Sequence, residues 1–279
     1  MLRKSCLVIE NKKIAPGHYA MILRSVPIAR QAKPGQFVQI LCADSNEPLL
    51  PRPFSFLTAA GSDFSILYQV VGKGTDLLSR IKKGDSLRVL GPLGNGFNSK
   101  RRPRTGGDRM ILVGGGVGIP PLYHLAQTLL KTKAVPAGNI HVFLGARSKS
   151  LLLCEKDFLK LKVNLHVTTD DGSKGKKGFI TGALETFLGS TAKTEGCQSR
   201  MYTCGPTPML KAVSALAVKF KTPCEVSVEV PMACGFGACL GCAIRVRSKK
   251  AGDNEPQDHR FAIACTEGPV FQAEDLLWD

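Results

Sequence analysis

The stretch Met110-Ile-Leu-Val-Gly-Gly-Gly-Val-Gly-Ile-Pro-Pro-Leu-Tyr-His-Leu-Ala-Gln-Thr-Leu-Leu130 contains no Asp, Glu, Lys or Arg. It is long enough to cross a bilayer, but its content argues against that. Gly114, Gly115, Gly116 and Gly118 interrupt it, Pro120 and Pro121 follow, and His124 and Gln127 lie in its second half. A buried strand, a glycine turn and a helix accommodate all of these, and a membrane span does not. The turn also has a chemistry. Glycines between a strand and a helix let the backbone approach a pyrophosphate closely. The helix N-terminus then offers free N–H groups to the anion, and a proline there removes no donor that the helix needs. The pattern is GxGxxP at Gly116, Gly118 and Pro121, so an ordinary tight turn is the competing reading.

Outward from this stretch, strands and helices alternate between about 109 and 222. Strands are predicted at Met110–Val113, Ile140–Leu144, Asn164–Thr168 and Arg200–Thr203. Helices are predicted at Pro120–Leu130, Cys154–Leu161 and Pro208–Phe220, the last from Leu210, Val213, Leu216, Ala217 and Phe220. Such alternation predicts a parallel sheet covered by helices. Two further loops follow strands of this unit: Gly145-Ala-Arg-Ser148 and Cys204-Gly-Pro-Thr-Pro-Met209. Ligands of such sheets sit at the carboxyl ends of strands, so Gly114, Gly116, Gly118, Cys204 and Gly205 are candidates for nicotinamide-dinucleotide binding. For Cys204 alone, a small buried thiol is an equal alternative.

The first hundred residues read differently. Phe37–Leu41, Ser65–Val71 and Ser86–Leu90 resemble strands, separated by turn signals at Pro34-Gly35, Gly61-Ser62-Asp63, Gly84-Asp85 and Gly91-Pro92. This spacing predicts a small barrel or sandwich. Arg52-Pro-Phe-Ser55 is placed between strands, where Arg52 could pair with a phosphate and Ser55 with a ring nitrogen. Gly74-Thr75, ahead of a helix expected over Asp76–Ile81, offers a second anion seat. The basic stretch from Ser99 to Asp108 reads as a linker.

Ten cysteines are present. Cys6, Cys42, Cys154, Cys197, Cys204 and Cys224 are scattered and read mostly as small buried residues. Cys234, Cys239, Cys242 and Cys265 have the spacing C-x4-C-x2-C-x22-C. That is the plant-type ferredoxin arrangement for a [2Fe-2S] cluster, with Gly235, Gly237 and Gly241 interleaved. Structural zinc sites favour C-x2-C pairs on both sides, which this spacing lacks. Three units are therefore expected, at 1–103, 104–222 and 223–279, in a multidomain β plus α/β fold.

Composition narrows the function. Apolar residues make up 43% and charged residues 22% of the chain, so a packed globular protein is expected. Lys and Arg number 38 against 22 Asp and Glu, a net +16. The densest run is Lys100-Arg-Arg-Pro-Arg104. No aromatic residues are interleaved with the basic ones, so base-stacking platforms and nucleic-acid binding are not indicated. The opening Met1–Lys13 carries too many charges for an apolar signal core, and a cytoplasmic location without disulfides is expected. The five histidines, at 18, 124, 141, 166 and 259, share no motif. No nucleophile–base constellation is found, and no catalytic residue is assigned.

Arg52–Ser55, the GGGVGIPPL and CGPTPML segments, EVPMACGFGACLGC and the later CTEGPVF occur in one order over nearly the whole chain. Together they resemble the dihydroorotate dehydrogenase electron-transfer subunit, the iron–sulfur, FAD-binding partner of the NAD-linked enzyme of pyrimidine synthesis. The RPxS and glycine-loop motifs recur throughout ferredoxin–NADP reductase-like proteins. The resemblance implies a six-stranded antiparallel FAD-binding β-barrel, a parallel-sheet nicotinamide-binding domain and a small C-terminal [2Fe-2S] domain. It implies FAD contacts at Arg52, Pro53, Phe54, Ser55, Leu67, Tyr68, Gln69, Gly74 and Thr75, with Gln69 standing where relatives often carry a basic residue. Cluster ligation falls to Cys234, Cys239, Cys242 and Cys265.

The implied partner is a dihydroorotate dehydrogenase catalytic (FMN) subunit, in an assembly of two copies of each chain. Electrons would pass from its flavin through the cluster and FAD to NAD. An iron–sulfur flavoprotein reductase serving a ferredoxin, oxygenase or hydrogenase is the nearest alternative. A basic zinc-stabilised binding protein is the alternative from another class.

Overall fold

A computed structural model describes residues 2–43, 47–99, 108–191, 198–248 and 259–278. The basic run Lys100–Arg104, most of the expected linker, and Cys197 lie outside them.

Six strands close into a barrel: β1 (Leu2–Ala15), β2 (His18–Arg24), β3 (Phe37–Ile40), β4 (Arg52–Ala60), β5 (Asp63–Gln69) and β6 (Ser86–Leu93), in the order β1-β2-β5-β4-β3-β6. Every pairing is antiparallel. Side chains alternate across each strand, so Cys6, Val8, Met21, Leu23, Val38, Ile40, Phe56, Phe64 and Ile66 fill the interior. Helices α1 (Val26–Gln31) and α2 (Lys73–Arg80) link the strands.

The sequence reading anticipates β3, β5 and β6 but not β1, β2 or β4. In β1 the inward Cys6 and Val8 are outnumbered by charged residues on the solvent side. Arg52–Ser55 does not lie between strands: it opens β4. Gly91-Pro92 is not a turn but lies within β6. Gly74 and Thr75 do not precede α2; they occupy its first turn.

The second unit contains β7 (Arg109–Gly115), α3 (Ile119–Lys131), β8 (Ile140–Ala146), α4 (Glu155–Lys160), β9 (Asn164–Thr169), β10 (Lys176–Lys177), α5 (Ile180–Thr191), β11 (Ser199–Cys204) and α6 (Thr207–Lys219). Met110–Leu130 is thus a strand, a turn and a helix. No helix among the described residues is long and apolar enough to cross a membrane. Ile111, Leu112 and Val113 of β7 are fully buried, as expected for a parallel strand covered on both faces.

The remaining strands are β12 (Cys224–Ser227), β13 (Ala243–Arg247), β14 (His259–Ile263) and β15 (Val270–Gln272). β13 and β14 form a separate two-stranded sheet. β12 and β15 instead complete the large sheet, whose order is β10-β9-β8-β7-β11-β12-β15. β12 joins it parallel to β11, and β15 lies antiparallel at its edge. The boundary expected at 222/223 therefore falls just before a strand that belongs to the second unit's sheet. Strand order reverses between β7 and β11, the switch point where a crevice opens in such sheets.

Candidate functional site

A cleft of about 510 Å³ opens where all three units meet, a size typical of small-molecule sites. The barrel contributes Arg52, Pro53, Phe54 and Ser55 from β4, Leu67, Tyr68 and Gln69 from β5, and Thr75 from α2. The switch point contributes Gly118, Cys204 and Gly205. Gly74, Gly114 and Gly116, also singled out in the sequence, do not line it. Gly74 packs behind it against Cys42 and Arg52, and Gly114 packs against Ile119 and Leu122. Gly116 begins the turn into α3.

The barrel wall is rigidly built. Arg52 Nη1 donates to the Leu50 carbonyl at 2.7 Å, which holds the guanidinium at the rim. Tyr68 is buried and donates through its hydroxyl to Asn11 Oδ1 at 3.0 Å. It stacks on Tyr19 and tilts against Phe54, with ring centroids 5.6 and 5.7 Å apart. Burial pushes the Tyr68 phenol well above its usual range, so it stays neutral. Thr75 Oγ1 accepts from the Val71 and Gly72 amides at 2.9 and 3.2 Å and orders the entrance to α2.

Across the cleft, the glycine loop and the CGPTPM loop touch. A Cβ on Gly118 would lie 2.4 Å from both the Cys204 carbonyl and the Gly205 nitrogen. Only glycine lets the start of α3 meet the end of β11 there. Cys204 is buried at the end of β11. Burial raises its thiol to about 12 despite a hydrogen bond from Ser227, so it presents a neutral thiol.

Glu229 lines the same cleft and was missed by the sequence reading. Partial desolvation raises its carboxyl pKa. Its only signal in the sequence was an acid set among Val226, Val228 and Val230, which reads as the solvent face of a strand. Gly145 and Ala146, expected in a loop, end β8, and Arg147 is exposed just beyond it. The loop after β9 reaches it: Asp171 N donates to the Arg147 carbonyl at 3.2 Å.

The cysteine loop lies behind the cleft. Cys242 and Cys265 are buried, Cys234 is half-buried and Cys239 is exposed. The hairpin of β13 and β14 closes the long gap in spacing, because the Ala243–Ile263 register sets Cys265 beside Cys242. Backbone amides point at sulfur: Gly237 N to Cys265 Sγ at 3.1 Å, Cys265 N to Cys242 Sγ at 3.4 Å, and Phe236 N to Cys234 Sγ at 3.5 Å. Burial opposes ionisation of Cys234, but the amides of Phe236, Cys239 and Ala238 and the Cys239 thiol outweigh it and bring its pKa down to about 6. Burial and the neighbouring Cys242 raise Cys265 to about 12.

Cys234 thus interacts with Cys239, and Cys265 with both Cys242 and Cys234. Among the described residues no group of three or more His, Cys, Asp or Glu converges on one metal ion. Two thiolates per iron is the donor set of a two-iron cluster, and these residues fit it better than a single zinc. The cleft, with its cationic rim and aromatic wall, fits a flavin nucleotide.

A closed antiparallel barrel joined through such a cleft to a parallel α/β sheet defines the ferredoxin–NADP reductase-like class of oxidoreductases. The structure of an NADH-dependent reduced ferredoxin-NADP oxidoreductase superposes with a TM-score of 0.80 at 30% identity, covering 99% of this chain and 90% of that one. A ferredoxin NADP+ reductase from Neisseria gonorrhoeae with bound FAD and NADP shares the fold, with a TM-score of 0.65 at 15% identity over 78% of this chain and 91% of that one. The pattern of the oxidoreductase NAD-binding domain matches residues 112–215, and that of the iron-sulfur cluster binding domain of dihydroorotate dehydrogenase B matches 229–277.

The "Dihydroorotate dehydrogenase B (NAD(+)), electron transfer subunit" of Desulforamulus reducens is 37% identical, with 95% of each chain covered. That of Caldanaerobacter subterraneus subsp. tengcongensis is 38% identical, with 97% of each covered. The chain belongs to this family of electron transfer subunits.

Proposed function

We propose that the protein is the electron-conducting subunit of an NAD-linked dihydroorotate dehydrogenase, acting in pyrimidine biosynthesis. One observation carries the reading. Phe37 of β3 lines the cleft on one side and on the other packs in one core with Leu93, Cys242 and Cys265. The cleft and the core that holds Cys242 and Cys265 therefore have Phe37 in common. The residues of the cleft and the cysteine loop would hold a flavin and a [2Fe-2S] cluster, which would supply the conversion between hydride and single electrons that transfer to NAD needs.

The residues divide this work. Arg52, Pro53, Phe54, Ser55, Leu67, Tyr68, Gln69, Gly74 and Thr75 would hold FAD, with Arg52 on its phosphates. Gly114, Gly116, Gly118, Cys204 and Gly205 would seat NAD at the switch point. Cys234, Cys239, Cys242 and Cys265 would ligate the cluster. Removal of the C–H proton of dihydroorotate needs a base, which we assign to a catalytic subunit carrying its own flavin. A cytoplasmic assembly of two copies of each chain completes the proposal.

The test is dihydroorotate-dependent NAD reduction by the purified chain, alone and with the catalytic subunit. Alone, the chain should carry iron and flavin and pass electrons from NADH to artificial acceptors, yet leave dihydroorotate untouched. Turnover of dihydroorotate without the partner would overturn the division of labour. The likeness to the ferredoxin-NADP oxidoreductase supports a second reading, a reductase serving another redox protein. Failure to co-purify with a dihydroorotate dehydrogenase at low salt would favour it.

A further inference from the structure

Gln39 sits in the middle of β3 and is 1% exposed. Neither Nε2 nor Oε1 of its carboxamide has a hydrogen-bond partner. Leaving such a group unsatisfied costs about 1–3 kcal/mol, and buried amides of this kind call for an explanation. Its neighbours in the sheet offer none, being Pro53 on β4 and Leu90 on β6. What it does face is the cysteine loop. Gln39 lines a groove of about 690 Å³ together with Cys234, Phe236 and Cys239.

The loop is shaped around this side chain. Gly235 has φ +81°, and a Cβ there would lie 2.6 Å from Gln39 Cγ and 3.1 Å from Nε2. The carboxamide therefore reaches the turn that follows Cys234, where the donors aimed at sulfur are otherwise the backbone amides of Phe236 and Gly237.

We propose that the Gln39 carboxamide donates an N–H hydrogen bond to a sulfur of the cluster held by Cys234 and Cys239, and so raises the reduction potential of that cluster. The proposal rests on the cluster assignment above. One-electron reduction adds one negative charge to the cluster, so a donor at sulfur stabilises the reduced form more than the oxidised form. Gln39 would tune this equilibrium directly, through that hydrogen bond. It lies beside Pro53 of the cleft wall, so the barrel itself would set how readily the cluster accepts an electron.

The test is an EPR-monitored redox titration of the loaded chain, with dithionite as reductant, comparing wild type with Gln39→Met. Methionine keeps the length of the side chain and removes the donor. At full iron content, the variant's reduction equilibrium should be about ten-fold less favourable, a midpoint about 59 mV lower for one electron. An unchanged midpoint would overturn the proposal. The wild-type chain gives an answer independent of any variant. With ¹⁵N in the glutamine side chains, pulsed EPR of the reduced cluster should show a ¹⁵N coupling, and its absence would overturn the proposal even if Gln39→Met fails to load. A wild-type chain that carries no iron would instead defeat the cluster assignment.

Discussion

Arg52 enters β4 with its guanidinium already tied to the Leu50 carbonyl, so little side-chain freedom remains to be lost when it meets an anion. Charge-assisted hydrogen bonds to phosphate contribute about 1.5–3 kcal/mol. Arg52→Ala should therefore weaken FAD binding about ten-fold or more, measured by flavin fluorescence on the stripped chain. Cys265→Ser should act on the other site alone. It removes a thiolate from a four-thiolate set, so most of the cluster absorption should vanish while FAD remains; a full cluster would show that Cys265 is no ligand. Asp170 and Asp171 stand exposed beyond β9, next to the Arg147 loop, where the adenosine half of a dinucleotide would lie. Their carboxylates would repel a 2′-phosphate, so NADH should reduce the bound flavin in clear preference to NADPH. Asp170→Asn with Asp171→Asn should narrow that gap.

Among the elements, the junction of the β7–α3 turn with the β11–α6 turn is the tightest feature of the cleft. Gly118→Ala would drive a methyl into the backbone of Cys204 and Gly205. Reduction of the flavin by NADH, measured per FAD retained, should fall at least ten-fold, since Gly118 lines the cleft on the side of the sheet. The two loops were each legible in the sequence, because glycine, proline and strand signals occur within a few residues of one another; their contact was not. Cys234, Cys239 and Cys242 were legible for the same reason, and Cys265 by its spacing from them.

What stayed hidden depends on pairing between distant segments. β1 reads as polar because Arg3, Lys4, Lys12 and Lys13 face water while Cys6 and Val8 turn inward. β4 begins with an arginine and a proline, which look like a loop until β3 is placed beside them. β15 is three residues long and exists only because β12 offers it an edge. Gln39 looks like one polar residue in an apolar strand, and its setting appears only once the cysteine loop folds over it.

For the whole molecule, acid should loosen the joint between barrel and sheet. His124 of α3 is buried against Phe56 of β4, with ring centroids 6.4 Å apart. Burial lowers its pKa to about 4, and burial likewise lowers His141 to about 4. Both start from about 6.5 in the unfolded chain. The native state therefore binds fewer protons, and its stability is complete above pH 6.5 and declines as pH falls towards 4. Each histidine gives a slope approaching 1.4 kcal/mol per pH unit in that window. Thermal melts between pH 7 and 4.5 should show a falling Tm, with a shallower fall for His124→Gln. The +16 charge acts outside the fold. If the catalytic subunit presents an acidic face, association should slow as salt rises; rates that ignore salt would assign the charge no part in docking.

The strand pair β12 and β15 has a consequence for how this chain can be lost or rebuilt. A premature stop after the α/β unit would do more than delete a redox centre. It would strip two strands from a finished sheet and bare the edge of β11, an aggregation-prone surface that native proteins keep covered. Late nonsense mutations should therefore yield insoluble or degraded protein, not a diaphorase that merely lacks iron. An engineer wishing to graft the iron–sulfur module onto another reductase would have to transplant the sheet edge with it.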